Sequence, residues 1–230
     1  MAGMMATEKR PATGPVTGRF IVAGLVGFGL GGALAGLVQF ALRAAAYDSA
    51  VAASLIATLG FTAMAVGGGI ALGLAVRDSR LLRRLVVTGV LGFGVGGLLS
   101  LLLIATIQAD LTALPPVFVG GIPGSAVGTA LGYAAVMYFL AFAVRGAIGG
   151  ALMGLAVPNR HGVRLLAALG ALGFGLGGAA GVGLLNAPPW SPLPLPDAAV
   201  YALWLTVSAL PGGVALGWGL GILSRSWQRS

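Results

Sequence analysis

The chain contains no cysteine. That excludes disulfides, thiol nucleophiles, iron–sulfur clusters and a lipidated cysteine anchor, and it leaves the redox compartment open. Acids are nearly as scarce. Glu8, Asp48, Asp78, Asp110 and Asp197 are the only five, and all are expected in tails or loops. A carboxylate pair for acid–base catalysis is therefore missing, as is a membrane-embedded carboxylate for ion coupling. His161 is the single histidine and lies in the basic stretch Pro158-Asn159-Arg160-His161-Gly162. With no cysteine or carboxylate beside it, no metal site is expected. No Ser-His-Asp set and no phosphate-binding loop is present. These absences predict a protein that is not an enzyme and carries no cofactor.

Charge of either sign is rare, at 8% of 230 residues against 58% hydrophobic. Soluble domains carry about 25% charged residues, so a water-facing shell cannot be built from this composition. The mean hydropathy of +1.01 agrees. Several apolar runs exceed the roughly 18 residues that mark a membrane-crossing helix. The first, Phe20 to Leu42, is 23 residues long. It follows Lys9, Arg10 and Arg19, yet it is longer than the apolar region of a signal peptide and similar runs recur twice downstream, so it reads as a retained helix. The net charge of +8 does not point to nucleic acid, because the basic residues sit at the ends of apolar runs.

What the chain has in excess is glycine, 41 residues, with no collagen-like period and most of it inside the apolar runs. In lipid, glycine lets helix backbones approach closely, whereas in a soluble helix each would cost about 1 kcal/mol against alanine. The glycines also mark an internal repeat. Gly27-Phe28-Gly29-Leu30-Gly31-Gly32 returns as Gly92-Phe93-Gly94-Val95-Gly96-Gly97 and as Gly173-Phe174-Gly175-Leu176-Gly177-Gly178. Arg19, Arg84 and Arg164 precede these copies. A second motif alternates with the first: Gly68-Gly69-Ile70-Ala71-Leu72-Gly73, Gly149-Gly150-Ala151-Leu152-Met153-Gly154 and Gly212-Gly213-Val214-Ala215-Leu216-Gly217. The unit is a helical hairpin, present three times.

The expected fold is an all-α integral membrane protein of six transmembrane helices, at roughly 19–43, 51–76, 84–107, 127–157, 164–186 and 199–224. Three tandem two-helix repeats would relate by a pseudo-threefold axis along the membrane normal. The expected organisation is a cytoplasmic tail 1–18, repeat one 19–80, repeat two 81–160, repeat three 161–224 and a tail 225–230. Repeat two would carry an inserted outer segment, about 108–126, that is re-entrant or surface-lying. Repeat three would carry the Pro-rich outer loop 187–198. Mitochondrial carriers share this general plan of three two-helix repeats, but their acidic-basic proline motif on the odd helices is absent. The glycine pattern is also similar to the inner helix of rotary ATP synthase ring subunits, whose essential carboxylate is missing.

Lys9, Arg10, Arg19, Arg77, Arg80, Arg83, Arg84, Arg160, Arg164, Arg225 and Arg229 fall on one side of such a bundle, and only Arg43 on the other. This predicts both termini in the cytoplasm and a place in a bacterial inner (plasma) membrane.

Glycines four apart share a helix face. Gly27 and Gly31, Gly92 and Gly96, and Gly173 and Gly177 are expected to pack the odd helices. Gly69 and Gly73, Gly150 and Gly154, and Gly213 and Gly217 are expected to pack the even ones. Odd helices show a second small face, as at Gly32 and Gly36. Pro211 would interrupt the sixth helix's ladder and is a hinge candidate.

One residue does not fit packing alone. Arg145 lies within an apolar run, roughly 18 Å from the basic end at 1.5 Å per residue. It replaces Met64 and Ser208 of the other repeats. A central arginine costs about 2.5–3.5 kcal/mol on the insertion scale and normally meets a partner or water. Candidate partners are helix carbonyls, Thr129, Tyr133, Asn186, a lipid headgroup or an anionic ligand. Two functions fit. The first is a helix-packing scaffold or accessory subunit that self-associates or joins other membrane subunits. The second is a transporter, channel or lipid-handling protein with an anion or headgroup site at Arg145, Tyr133 and Asn186.

Overall fold

The computed structural model describes residues 14–45, 50–112, 125–186 and 196–227. It contains six α-helices: α1 (Gly14–Ala45), α2 (Ala50–Val76), α3 (Ser79–Thr112), α4 (Ser125–Ala156), α5 (Gly162–Asn186) and α6 (Asp197–Trp227). Each contains a stretch of 19 to 30 residues long and apolar enough to cross a bilayer. Leu30, Leu74, Leu102 and Leu155 are exposed on the bundle's outside, where only lipid would accept a girdle of leucine. The chain is a polytopic membrane protein.

Several helices outrun their sequence-based bounds. Residues 14–18 and 225–227, expected in tails, are helical. α3 continues to Thr112, so Asp110 stands in a helix's last turn rather than in a loop, and Asp197 opens α6. Most of the inserted segment and of the Pro-rich loop lies outside the described residues. α6 passes through Pro211 as one helix.

The short turns explain the sharp reversals at the arginine-rich end. α2 stops at Arg77, whose φ of 62° is the left-handed cap that ends a helix. Asp78 then caps α3, its Oδ1 accepting the amides of Arg80 at 2.8 Å and Leu81 at 3.3 Å. Asn159 shapes the α4–α5 turn by accepting the amide of His161 at 2.8 Å. His161 itself is exposed there. Arg225 donates to Thr17 at 2.6 Å and Arg19 to the Leu74 carbonyl at 3.2 Å, tying α6 to α1 and α1 to α2.

The helices form a closed ring in chain order. α1 packs on α2, α2 on α3, and so on to α6, which returns to α1. Glycine sets how closely they approach. A Cβ at Gly31 would stand 2.7 Å from the Met64 carbonyl, at Gly96 2.9 Å from the Arg145 Cα, and at Gly173 2.7 Å from the Pro211 carbonyl. Real Cβ atoms essentially never come within 3.0 Å, so these are backbone-to-backbone contacts. Gly27, Gly92 and Gly177 make the same α1–α2, α3–α4 and α5–α6 seams. The even-helix glycines serve the other seams: Gly69 and Gly73 meet α3, Gly150 and Gly154 meet α5, and Gly213 and Gly217 meet α1. Such contacts supply dispersion where lipid removes any hydrophobic drive between helices.

The ring has no lumen at its middle. Phe28, Phe93 and Phe174, the phenylalanines of the three Gly-Phe-Gly motifs, meet there, each fully buried. Their centroids lie 5.6, 5.3 and 4.9 Å apart, tilted or edge-on, as aromatic quadrupoles prefer. Each ring lies on a glycine of the facing even helix: Phe28 on Gly68, Phe93 on Gly149 and Phe174 on Gly212. A side chain at any of those glycines would collide with the ring.

Candidate functional site

The two halves on either side of the plug are both largely apolar but differ in their buried polar side chains. Toward the arginine-rich end the buried side chains are Phe20, Leu85, Leu166, Leu72, Met153 and Leu216, with polar Thr17 and Ser224 only at the rim. On the opposite side lie buried Arg145, Ser100, Ser208 and Gln39. A helical step of four carries each even helix from its plug glycine to this level: Gly68 to Met64, Gly149 to Arg145, Gly212 to Ser208. All three residues are buried, with Arg145 at 2% exposure. Arg145 is thus inside the bundle, one helical turn past the middle plug.

Its guanidinium is held by three neighbours. Cζ lies 3.2 Å from the centroid of Phe61 on α2 and 4.8 Å from that of Phe142, one turn back on α4. Phe61 and Phe142 stand perpendicular at 5.4 Å, forming a corner of two π faces. A desolvated cation–π contact is worth about 2 kcal/mol or more. Nη2 donates to Ser100 Oγ on α3 at 2.5 Å. Ser100 can accept because its own hydroxyl proton goes to the Gly97 carbonyl at 2.8 Å.

That leaves the site incomplete. Nε and Nη1 of Arg145 have no hydrogen-bond partner among the described residues, nor do Trp204 Nε1 and Ser208 Oγ. Each unsatisfied buried donor costs about 1–3 kcal/mol, more on a charged group. Three of these four atoms can only donate, and the hydroxyl can also donate. Phe142 links the two groups, touching the guanidinium on one side and lying 6.5 Å from Trp204 on the other. Trp204 also packs edge-on against Tyr138 and Tyr201. The arrangement can receive an acceptor with negative charge. Among the described residues no group of His, Cys, Asp or Glu could hold a metal ion.

Of the residues named from sequence, Arg145 lies where it was expected. Tyr133 and Asn186 fall within α4 and at the end of α5, but their side chains, like that of Thr129, lie outside the described residues. Sequence reasoning missed Ser100, Phe61 and Phe142. Ser100 continues the four-residue spacing of Gly92 and Gly96, a pattern that looks like packing. Phe61 and Phe142 occupy the same position in successive repeats, three residues before Met64 and Arg145, and that coincidence was the available signal.

A concavity of about 670 Å³ lies beside Pro211 on the outer surface between α1, α5 and α6. Its walls include Ile21, Leu172, Leu176, Leu210 and Trp218, and it shares no residue with the Arg145 site.

The fold and site together define a class, a polytopic helical membrane protein with a buried cation. No family model matches the chain, and no curated protein or solved structure matches it significantly.

Proposed function

We propose that this chain binds an anionic group inside its helix ring and acts in transport or lipid handling, without catalytic chemistry. The observation that carries this reading is the buried Arg145 guanidinium with two N–H groups unsatisfied. Intramembrane ionisable side chains normally serve a ligand, ion or proton path, and no carboxylate is among the groups that hold this one. An apolar scaffold would have no use for it, since Met64 fills the corresponding place on α2.

The architecture we infer is three tandem repeats about an axis along the membrane normal. Support comes from the chain-order ring and from three plug phenylalanines drawn from one motif position. The axis would pass through a site that only one repeat has charged. We also infer, from the lysine and arginine distribution, that the arginine-rich end and both termini face the cytoplasm of a bacterial cell, so the Arg145 half faces outward.

The test is anion binding to purified protein in detergent. Wild type should bind a long-chain carboxylate or an inorganic oxyanion, and Arg145→Leu should lose at least tenfold in affinity. Equal binding by both proteins would sink the reading.

The second reading is a helix-packing scaffold or accessory subunit, alone or with other membrane subunits. Backbone contact at most seams and the closed plug favour it. Purification as a lone monomer in mild detergent would count against it.

A further inference from the structure

The six seams are not equally tight, and the exception borders Arg145. The last glycine of each Gly-Phe-Gly motif faces the even helix of the neighbouring hairpin. At Gly32 a Cβ would stand 2.7 Å from the Leu205 carbonyl, and at Gly178 2.8 Å from the Tyr138 carbonyl. Neither seam has room for a methyl. At Gly97, between α2 and α3, the nearest atoms would be the Thr58 methyl at 3.6 Å and Arg145 Nε at 3.8 Å, which is ordinary contact. Gly94 and Gly89, one and two turns along, are open in the same way, with nearest distances of 3.6 and 3.7 Å. Their counterparts Gly175 and Gly170 are crowded by Phe139 and by the Gly146 backbone. Gly170 faces Gly146, whereas Gly89 faces Ala65, one step larger.

The seam is tight at its arginine-rich end, where a Cβ at Gly73 would stand 2.7 Å from the Leu82 Cα, and open from Gly89 to Gly97; the unsatisfied Nε lies behind that open stretch. The outer face of that seam is greasy. Leu55 and Leu59 on α2 and Leu98 and Leu102 on α3 are exposed. Thr58 and Thr62 line its wall, near where side chains at Gly97 and Gly94 would stand. Fatty outside, edged at the seam by the Thr58 methyl and the Thr62 hydroxyl, and cationic behind it, this order matches a molecule with an apolar chain and an anionic oxygen head.

We propose that the α2–α3 seam is a lateral door through which an amphipathic anion, a carboxylate or phosphate on an acyl chain, places its head on Arg145 from the bilayer. The inference rests on Arg145 being an anion site. The head accepts from Nε and Nη1 while Ser100 keeps Nη2 and the Phe61 face steadies the guanidinium. The chain stays outside along Leu55, Leu59, Leu98 and Leu102. In the structure the door is shut, because Nε is wholly buried, so binding requires α2 and α3 to part.

The lack of cysteine makes the test clean. Thr58→Cys with Gly97→Cys should form a disulfide across the seam, since a Cβ at 97 stands 3.8 Å from the Thr58 Cα. The control is a pair on the α4–α5 seam, Ala143→Cys with Gly175→Cys, the counterparts of Thr62 and Gly94 one turn along from the tested pair. The probes are a long-chain carboxylate, an anionic phospholipid in mixed micelles, and inorganic phosphate. Oxidation of the 58–97 pair before ligand addition should slow or weaken binding of the amphipath at least tenfold, and reduction should restore it. The control disulfide should do neither, and phosphate should not compete. Preference between carboxylate and phospholipid identifies the head group. Unchanged amphipath binding in the oxidised 58–97 protein, with loss in Arg145→Leu, would overturn the door but keep the site. Equal binding by phosphate would overturn the amphipathic ligand. Unchanged binding in Arg145→Leu would overturn site and door together.

Discussion

Removing one phenylalanine from the central plug should loosen the whole ring. Each ring touches the other two; Phe93 lies 5.6 Å from Phe28 and 4.9 Å from Phe174, the shortest of the three separations. Phe93→Ala deletes a ring that is fully buried and rests on Gly149. In lipid the transfer of apolar surface from water contributes little, so the usual soluble-protein figure must be taken apart. The cavity contribution survives, because neither lipid nor water fills a hole at the middle of a sealed bundle. A ring of about 100 Å³ at 24 cal/mol per Å³ gives roughly 2.4 kcal/mol. Loss of two aromatic contacts adds about 0.5–1.5 kcal/mol each. The expected destabilisation is about 3–5 kcal/mol. Reversible unfolding in mixed micelles, followed by helical circular dichroism against denaturing detergent, measures it. Phe28→Ala and Phe174→Ala should fall in the same range. Their double variants with Phe93→Ala should lose less than the sum, because the second deletion widens an existing hole. If all three single variants lost under about 1 kcal/mol, the plug would not be the bundle's keystone and this reasoning would fail.

Other outcomes follow from the same packing. Gly170→Ala places a methyl on the Gly146 carbonyl and should destabilise markedly, whereas Gly97→Ala meets only ordinary contacts and should be neutral or gain up to about 1 kcal/mol from helix propensity; paired unfolding curves separate the two. Arg145→Met should raise ligand-free stability by about 1–3 kcal/mol, since it removes an unsatisfied buried charge, while abolishing anion binding. A decrease in stability would mean the cation–π corner holds more of the fold than its unsatisfied donors cost. A single cysteine at Ser79 should react with a membrane-impermeant thiol reagent only after cells are opened, and one at Asp197 should react in intact cells; the reverse pattern would invert the inferred orientation.

Much of the fold was legible because bilayer physics writes in long runs. Six apolar stretches became six helices. The ends were less legible. The helices run on to Gly14, Thr112 and Trp227, past the apolar stretches that hydropathy marks, as Asp110 shows. The plug was half-visible. The repeated phenylalanine stood in every copy of the first motif, but its convergence depends on how the ring closes, which no local pattern encodes. Arg145 stood out by chemistry alone. Its partners did not, because Ser100 and Phe61 come from other helices and look like packing residues at their own positions. The α2–α3 looseness was hidden too, since the motif spells Gly97 as it spells Gly32 and Gly178. What differs is the helix opposite.

The most direct test of the central claim is whether an anion stabilises this protein through Arg145. Thermal unfolding of purified wild type and Arg145→Met, with and without a long-chain carboxylate, is the measurement. At a concentration one hundred times Kd, binding to the folded state alone should add about 2.7 kcal/mol to wild type. The corresponding rise in Tm should be absent from Arg145→Met, and a neutral alcohol of the same chain length should have no effect on either protein. An equal rise in both proteins, or none in wild type for the carboxylate and for inorganic phosphate alike, would contradict the account and leave the glycine-packed scaffold as the better reading.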